Sequence, residues 1–122
     1  MTRCGPDRTF SIPQVGVKIR IYVSLKDDMP NAVRNARRWM NATDISNDEY
    51  TYRGWVLQNS NKVFVWLDSS ACINTVLHEA YHAFFAARNA FGEDNRASDN
   101  ETNACLFAYI AEKIYNAWKD SK

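Results

Sequence analysis

Both histidines of the chain lie in one five-residue string, His78-Glu79-Ala80-Tyr81-His82. The string falls in a segment that we interpret as a helix, where positions four residues apart lie one above the other on the same face. Two imidazoles placed in this way can bind one divalent cation, with the glutamate between them at the edge of the site. The string therefore constrains this segment to be helical and predicts a zinc site on one of its faces.

The size and charge of the chain limit the classes of protein to which it can belong. Its 122 residues are enough for one domain with a buried core. The formal net charge of +1 argues against nucleic acid or an anionic membrane as a partner. The densest basic cluster, Arg34, Arg37 and Arg38, is interpreted as the solvated face of an amphipathic helix. We therefore expect neither nucleic acid nor a membrane as a partner.

Cysteine use and hydropathy indicate the compartment. No apolar run is long enough to cross a membrane, and no segment has the features of a signal peptide. Three cysteines, Cys4, Cys72 and Cys105, cannot all pair within one chain, and reduced thiols are typical of cytosolic proteins. We therefore expect a cytoplasmic location. The sequence does not indicate an oligomeric state.

The first half of the chain predicts a strand, a helix and a hairpin. Residues 1–13 contain two of the three prolines and are expected to form an irregular arm. A strand is predicted at 17–23, and a helix begins near Pro30, which is tolerated in a first helical turn. Two β-rich runs, 50–58 and 62–68, flank a turn and predict a hairpin. The apolar stripe of the helix is Ala32, Val33, Ala36, Trp39 and Met40.

The second half of the chain predicts two helices, so that residues 1–122 form a single α+β domain. The motif helix is predicted over residues 71–89 and the last helix over residues 99–118. The stripe predicted to face the core on the motif helix lies opposite the histidines and consists of Ile73, Leu77, Ala80 and Phe84. The stripe of the last helix is Phe107, Ile110, Ala111, Ile114 and Trp118.

A catalytic zinc ion needs a third protein ligand, and no third histidine exists. Glu101 is the preferred candidate, because it follows a loop that can reverse the chain and begins the last helix. Small residues on one side of that helix, Ala104, Ala108 and Ala111, would allow its backbone to approach a neighbour closely. Weaker candidates are Glu93, Asp94, Asp99 and Cys105.

Other interpretations of these residues stay open. Ser98 and Glu101 have the spacing of a capping box, in which the glutamate bonds back to the start of the helix. Glu79 is expected to act as a general base that takes a proton from the attacking water, and the alternative is an ordinary surface glutamate on an exposed helix face. Transition-state stabilisation needs a further donor, and Tyr81, Tyr109 and Tyr115 are candidates among which the sequence does not choose.

Together, HEAYH and the downstream run ETNACLFAYIAEKI resemble the zincin metallopeptidases, specifically the gluzincin type with a glutamate as third ligand. The second run is similar to that of small HExxH proteins of the ImmA/IrrE kind, and to short zincin-like proteins encoded by phages and mobile elements. The resemblance implies that His78, His82 and Glu101 bind one Zn2+ per chain and that Glu79 is the general base. Cys105 departs from the pattern, because many gluzincins have an acid at that position.

The resemblance also implies a minimal zincin-like fold. In that fold a small sheet of about three strands packs with the HExxH helix and a C-terminal helix, and residues 62–68 would be the edge strand. A protein or peptide substrate could add to that edge as an extra strand. If the protein is phage-encoded, its location is the host cytoplasm.

The function implied is a zinc metallopeptidase that hydrolyses peptide bonds. Two alternatives remain open. One is a non-catalytic module that is stabilised by zinc and binds a host or regulatory protein. The other is a metal-dependent hydrolase of a non-peptide amide.

Overall fold

The computed structural model describes residues 6–12, 16–41, 53–90 and 100–122, which confirm the predicted α+β class. The elements in chain order are β1 (Asp7–Ile12), β2 (Val17–Ser24), α1 (Met29–Met40), β3 (Gly54–Asn59), β4 (Lys62–Asp68), α2 (Ile73–Ala90) and α3 (Asn100–Asp120). A short 3-10 turn at Lys26–Asp28 leads into α1. None of these described helices is long and apolar enough to span a membrane.

The four described strands form one mixed sheet in the order β1-β2-β4-β3. β1 pairs antiparallel with β2, and β2 pairs parallel with β4. β3 and β4 form the predicted hairpin, whose turn holds Ser60 at a φ of 56°. The two central strands are therefore β2 and β4, and β3 is the edge strand that packs against α2.

Side chains alternate between the two faces of the sheet and produce two apolar clusters. The face that packs on α2 and α3 carries Val17, Ile19, Ile21, Val23, Val63, Val65 and Leu67. The face that packs on α1 carries Tyr22, Trp55, Phe64 and Trp66. The apolar stripe predicted for α1 is confirmed, because Ala32, Val33, Ala36 and Met40 are buried and Trp39 packs beside them. The described elements thus form three layers, with the sheet in the middle.

The sheet differs from the expectation in two ways. Residues 7–12 lie in the segment expected to be irregular, yet they form β1, because their backbone pairs along Val17–Tyr22 of β2. Residues 62–68 are not the edge strand, because β4 pairs with β2 on one side and with β3 on the other. The described part of the sheet therefore has four strands rather than about three, and its edge beside the motif helix is β3.

The buried face of α2 is rotated relative to the predicted stripe. Ala80 and Phe84 are buried as predicted, but Ile73 and Leu77 are 42% and 48% exposed. The buried face consists of Val76, Glu79, Ala80, Ala83, Phe84 and Ala87. Its three alanines leave room for the β-branched side chains of the sheet, whereas Ile73 and Leu77 lie outside this face. The histidines nevertheless remain on an exposed face, as predicted.

α3 packs beside α2 on the same face of the sheet. Ile110 and Ile114 are fully buried, and Phe107, Ala111 and Trp118 pack against the same cluster. The predicted core stripe of the last helix is therefore confirmed. The ring of Phe107 meets that of Phe84 edge-on, with centroids 5.8 Å apart.

Candidate metal centre

α2 brings the two imidazoles of His78 and His82 together on its exposed face. Their Nε2 atoms are 3.2 Å apart, and their ring centroids are 4.7 Å apart with the planes at 73°. The helical spacing of four residues alone produces this proximity, so no other element is needed to form the pair. In the metal-free chain this distance also allows one imidazole N–H to donate a hydrogen bond to the other ring.

The spacing of the two nitrogens fits one shared zinc ion. Two Zn–N bonds of about 2.05 Å that end on nitrogens 3.2 Å apart enclose an angle of about 100°. This value is close to the angle of about 109° in the tetrahedral coordination that zinc prefers. The pair therefore has the geometry of two neighbouring zinc ligands.

Glu79 lies at the boundary between the histidine face and the core. Around the helix axis it is about 100° from His78 and about 60° from His82. Only 6% of the residue is exposed, and its side chain lies against Gly54 of β3. Burial raises the pKa of its carboxyl group, and the neighbouring His78 opposes this rise to a smaller extent. The interpretation of Glu79 as an ordinary surface glutamate is therefore wrong.

Within the part of the chain that the structure describes, no third ligand lies at the histidine pair. Glu101 lies in the first turn of α3 and is exposed. Across residues 6–12, 16–41, 53–90 and 100–122, no three His, Cys, Asp or Glu side chains are close enough to hold a metal ion. Glu101 as a ligand remains a prediction. The weaker candidates Glu93, Asp94 and Asp99, and the capping residue Ser98, lie outside the described residues.

The three candidate tyrosines fall in different surroundings. The Tyr109 hydroxyl donates a hydrogen bond of 3.4 Å to the carbonyl oxygen of Ser11 in β1, at the opposite edge of the sheet from β3. The Tyr115 ring packs on that of Trp118 near the end of α3. Tyr81 is exposed on α2, and its ring meets that of Phe85 with centroids 4.9 Å apart. Tyr109 therefore bonds at the edge of the described sheet opposite β3, whereas Tyr81 lies on the same helix as the histidines.

Exposed apolar side chains and a cavity border the histidine pair along α2. The exposed residues follow a spacing of four and are Ile73, Leu77, Tyr81 and Phe85. A surface cavity of about 510 Å³ lies one turn beyond His82, and its described lining is Phe85, Ala86, Arg88 and Asn89. The Asn89 amide donates a hydrogen bond of 3.1 Å to the Gln58 side chain, which ties this end of α2 to β3.

Sequence reasoning missed the role of the segment that begins β3. Gly54 is buried against Glu79, and the preceding Arg53 reaches across to Asp68 at the end of β4. A glycine inside a β-rich run often marks a close approach of another element, so Gly54 carried a usable signal. The sequence did not predict which side chain packs against that glycine, because this depends on which strand lies beside the motif helix.

The chain matches no protein-family model, no curated protein and no solved structure.

Proposed function

We propose that this chain is a zinc-dependent metallopeptidase of the zincin type, with His78, His82 and Glu101 as the ligands of one Zn2+ per chain. The observation that supports this most is the pair of Nε2 atoms 3.2 Å apart with the buried carboxyl group of Glu79 beside it. A histidine pair alone would suit a structural metal equally well. A buried acid–base group next to the pair is what hydrolysis requires in addition.

The chemistry assigned to the protein is proton transfer by Glu79. A zinc ion held at this site would supply the Lewis acid that polarises the scissile carbonyl group. Glu79 accepts a proton from the attacking water and donates it to the amine nitrogen that leaves. Burial raises the pKa of this carboxyl group above its ordinary value, and a raised pKa helps a residue that must hold and then donate the proton it accepts.

The fold supports a protein or peptide substrate. Among the described strands β3 pairs on one side only, with β4, and a peptide strand added beside it would extend the sheet. A peptide bound there in an extended conformation would run beside α2, which packs directly on β3. On this proposal the peptide adds to β3 rather than to residues 62–68, which were expected to be the edge strand.

The decisive experiment combines peptide cleavage with a variant at Glu79. The zinc-loaded chain is incubated with a mixed peptide library, and the products are identified by mass spectrometry. We expect Glu79→Gln to abolish cleavage while zinc content and circular dichroism stay unchanged. The control Glu112→Gln alters an exposed glutamate of α3 and should cleave at the wild-type rate. Cleavage by Glu79→Gln at the wild-type rate would mean that Glu79 is not the general base.

A second candidate function is a non-catalytic module that uses zinc for stability and binds a partner protein. The exposed apolar side chains of α2 favour it, because exposed apolar surface of this kind is typical of protein contacts. On this alternative, Glu79→Gln would keep the biological effect, whereas Leu77→Ser combined with Tyr81→Ser would lose it. Hydrolysis of a non-peptide amide is tested by screening small-molecule products in parallel.

The proposal includes a cytoplasmic location, or the host cytoplasm for a phage-encoded chain. Among the described residues, Cys72 and Cys105 are free thiols on the surface. Exposed free thiols are typical of proteins in a reducing compartment.

A further inference from the structure

Gly54 lies where the edge strand and the motif helix approach each other closely. A Cβ atom at position 54 would lie 2.9 Å from Cγ of Glu79. The same atom would lie 3.1 Å from Cδ2 of Leu67 and 3.1 Å from the carbonyl oxygen of Trp66. Non-bonded carbon atoms are most stable at about 3.5–4.0 Å, so any side chain here would displace a neighbour. The glycine therefore forms a notch in β3 that is filled by the side chain of Glu79.

The strand around this notch is fixed on its other side. Gly54 pairs with Leu67 of β4, and the backbone N–H of Asp68 donates a hydrogen bond of 2.9 Å to the carbonyl oxygen of Arg53. The Arg53 guanidinium donates to the Asp68 carboxylate at 3.4 Å and to the Ser70 hydroxyl at 2.9 Å. The Asp68 carboxylate also accepts hydrogen bonds of 3.0 Å from the backbone N–H and the hydroxyl of Ser70. These hydrogen bonds therefore hold the start of β3 against the end of β4.

The helix is held equally closely against the sheet. Ala80, Ala83 and Ala87 are fully buried on the same side of α2 as Glu79. Because contacts hold both the strand and the helix in place, we expect a side chain at position 54 to displace Glu79. Of the contacts around the notch, the Glu79 side chain is also the closest.

We propose that Gly54 is a positioning residue for Glu79. Its missing side chain leaves the space in which the Glu79 side chain packs, and this packing places the carboxylate correctly relative to His78 and His82. This inference rests on the proposed function of the site, because it takes Glu79 to be the residue that transfers protons in catalysis. The notch fixes the position of the Glu79 Cγ, and the carboxylate is one bond further along. A group that transfers protons must be placed within a fraction of an ångström of its partner, so a shifted Cγ is costly.

The first test is kinetic and uses Gly54→Ala with the best-cleaved peptide of the library. We expect kcat to fall by about 100-fold with KM nearly unchanged, because displacement by about 1 Å has an effect of this size. Zinc affinity, measured by titration, should stay within a few-fold of the wild type, since both histidines lie outside the notch. An unchanged kcat, or a loss that appears entirely in KM, would overturn the positioning role.

The second test needs no activity and asks which neighbour the new methyl group meets. Gly54→Ala is expected to lower the Tm by about 5 °C or more, as overpacking does in a chain of this size. Glu79→Ala removes the Cγ atom, so in that background most of this Tm loss should disappear. Leu67→Val trims the other side-chain contact and should relieve less of it. Greater relief by Leu67→Val, or equal Tm losses in the wild-type and Glu79→Ala backgrounds, would overturn the proposal.

These two tests separate the failure of the inference from the failure of the proposed function. If the wild-type chain cleaves no peptide, the proposed function fails, while the Tm comparison still decides whether Gly54 seats Glu79. If Gly54→Ala alone does not fold, recovery of the folded state in Gly54→Ala with Glu79→Ala supports the seating. Recovery with Leu67→Val only would contradict it.

Discussion

The indole N–H of Trp118 donates a hydrogen bond of 3.1 Å to the carbonyl oxygen of Ala71. This contact joins the last turns of α3 to the residues that precede α2, whereas Phe107 meets Phe84 further along both helices. The two helices are therefore antiparallel. Glu101 lies six residues before Phe107, about 9 Å along the helix axis, and on the far side of Phe84 from His82. A third ligand at Glu101 therefore requires the first turn of α3 to approach the histidine pair when the metal binds.

Replacing Glu101 with alanine tests that ligand directly. We expect Glu101→Ala to weaken zinc binding by more than about 100-fold, which exceeds the usual effect of losing a group in the outer shell of a metal site. A glutamate that served only as a helix cap would cost about 1 kcal/mol of stability and leave zinc affinity intact. Competition titration with a chelator of known affinity measures the difference.

The matched control for Glu101 is Glu112→Ala on the same helix, where the glutamate is also exposed. Its zinc affinity should equal that of the wild type. If both variants bind zinc equally well, Glu101 returns to the capping role and the third ligand must come from another segment.

The histidine pair should link stability to zinc. His78 and His82 are exposed, so we expect His78→Ala and His82→Ala to change the metal-free free energy of unfolding by less than about 0.5 kcal/mol. Zinc at 100 times its Kd should stabilise the wild type by about 2.7 kcal/mol, because it binds only the folded site. Thermal unfolding with and without zinc measures both effects. A zinc-dependent Tm rise of equal size in all three proteins would place the metal elsewhere.

The sequence was sufficient for the histidine pair because that arrangement is local. His78 and His82 needed only a helix to meet, and the period of the apolar residues predicted that helix. The same reasoning predicted the buried Ile110 and Ile114 of α3. Local periodicity therefore accounts for the helices and for two of the predicted ligands.

The rest depends on which segments pair across the sheet, and no local pattern encodes that choice. β2 and β4 are separated by α1 and β3 in sequence, yet they pair in parallel at the centre, which leaves β3 at the edge beside Glu79. The stripe on α2 was also misassigned, because large apolar residues were expected inward where the sheet accepts alanines. The packing of Glu79 against Gly54 and the burial of Glu79 follow from these long-range contacts, so the sequence did not predict them.

The rotation of α2 can be tested by comparing two apolar residues on its different faces. Phe84 is buried, so we expect Phe84→Ala to lower the free energy of unfolding by about 3–5 kcal/mol. Leu77 was predicted to face the core but is half exposed, so Leu77→Ala should cost less than about 1 kcal/mol. Urea unfolding of the metal-free proteins measures both values. Similar large losses of unfolding free energy in the two variants would mean that Leu77 faces the core, as the sequence predicted.

The buried carboxyl group of Glu79 should make the stability of the metal-free chain depend on pH. Its pKa is raised by burial in the folded state, so the folded state binds more protons than the unfolded state between the ordinary and the raised pKa. Stability therefore falls as pH rises through this window. Below the ordinary glutamate pKa the carboxyl group is neutral in both states, and the penalty is absent.

Glu79→Gln isolates this penalty because the amide has nearly the same shape and no charge to bury. We expect the variant to unfold at higher urea concentration than the wild type at pH 7, and the advantage to shrink as pH falls towards 4. Glu112→Gln on the exposed face of α3 is the control and should give no such pH-dependent advantage. A Glu79→Gln chain that is less stable than the wild type at neutral pH would mean that the ionised carboxylate is stabilised in the folded protein. The Glu79 side chain packed against Gly54 would then be an ionised carboxylate rather than a group that readily binds a proton.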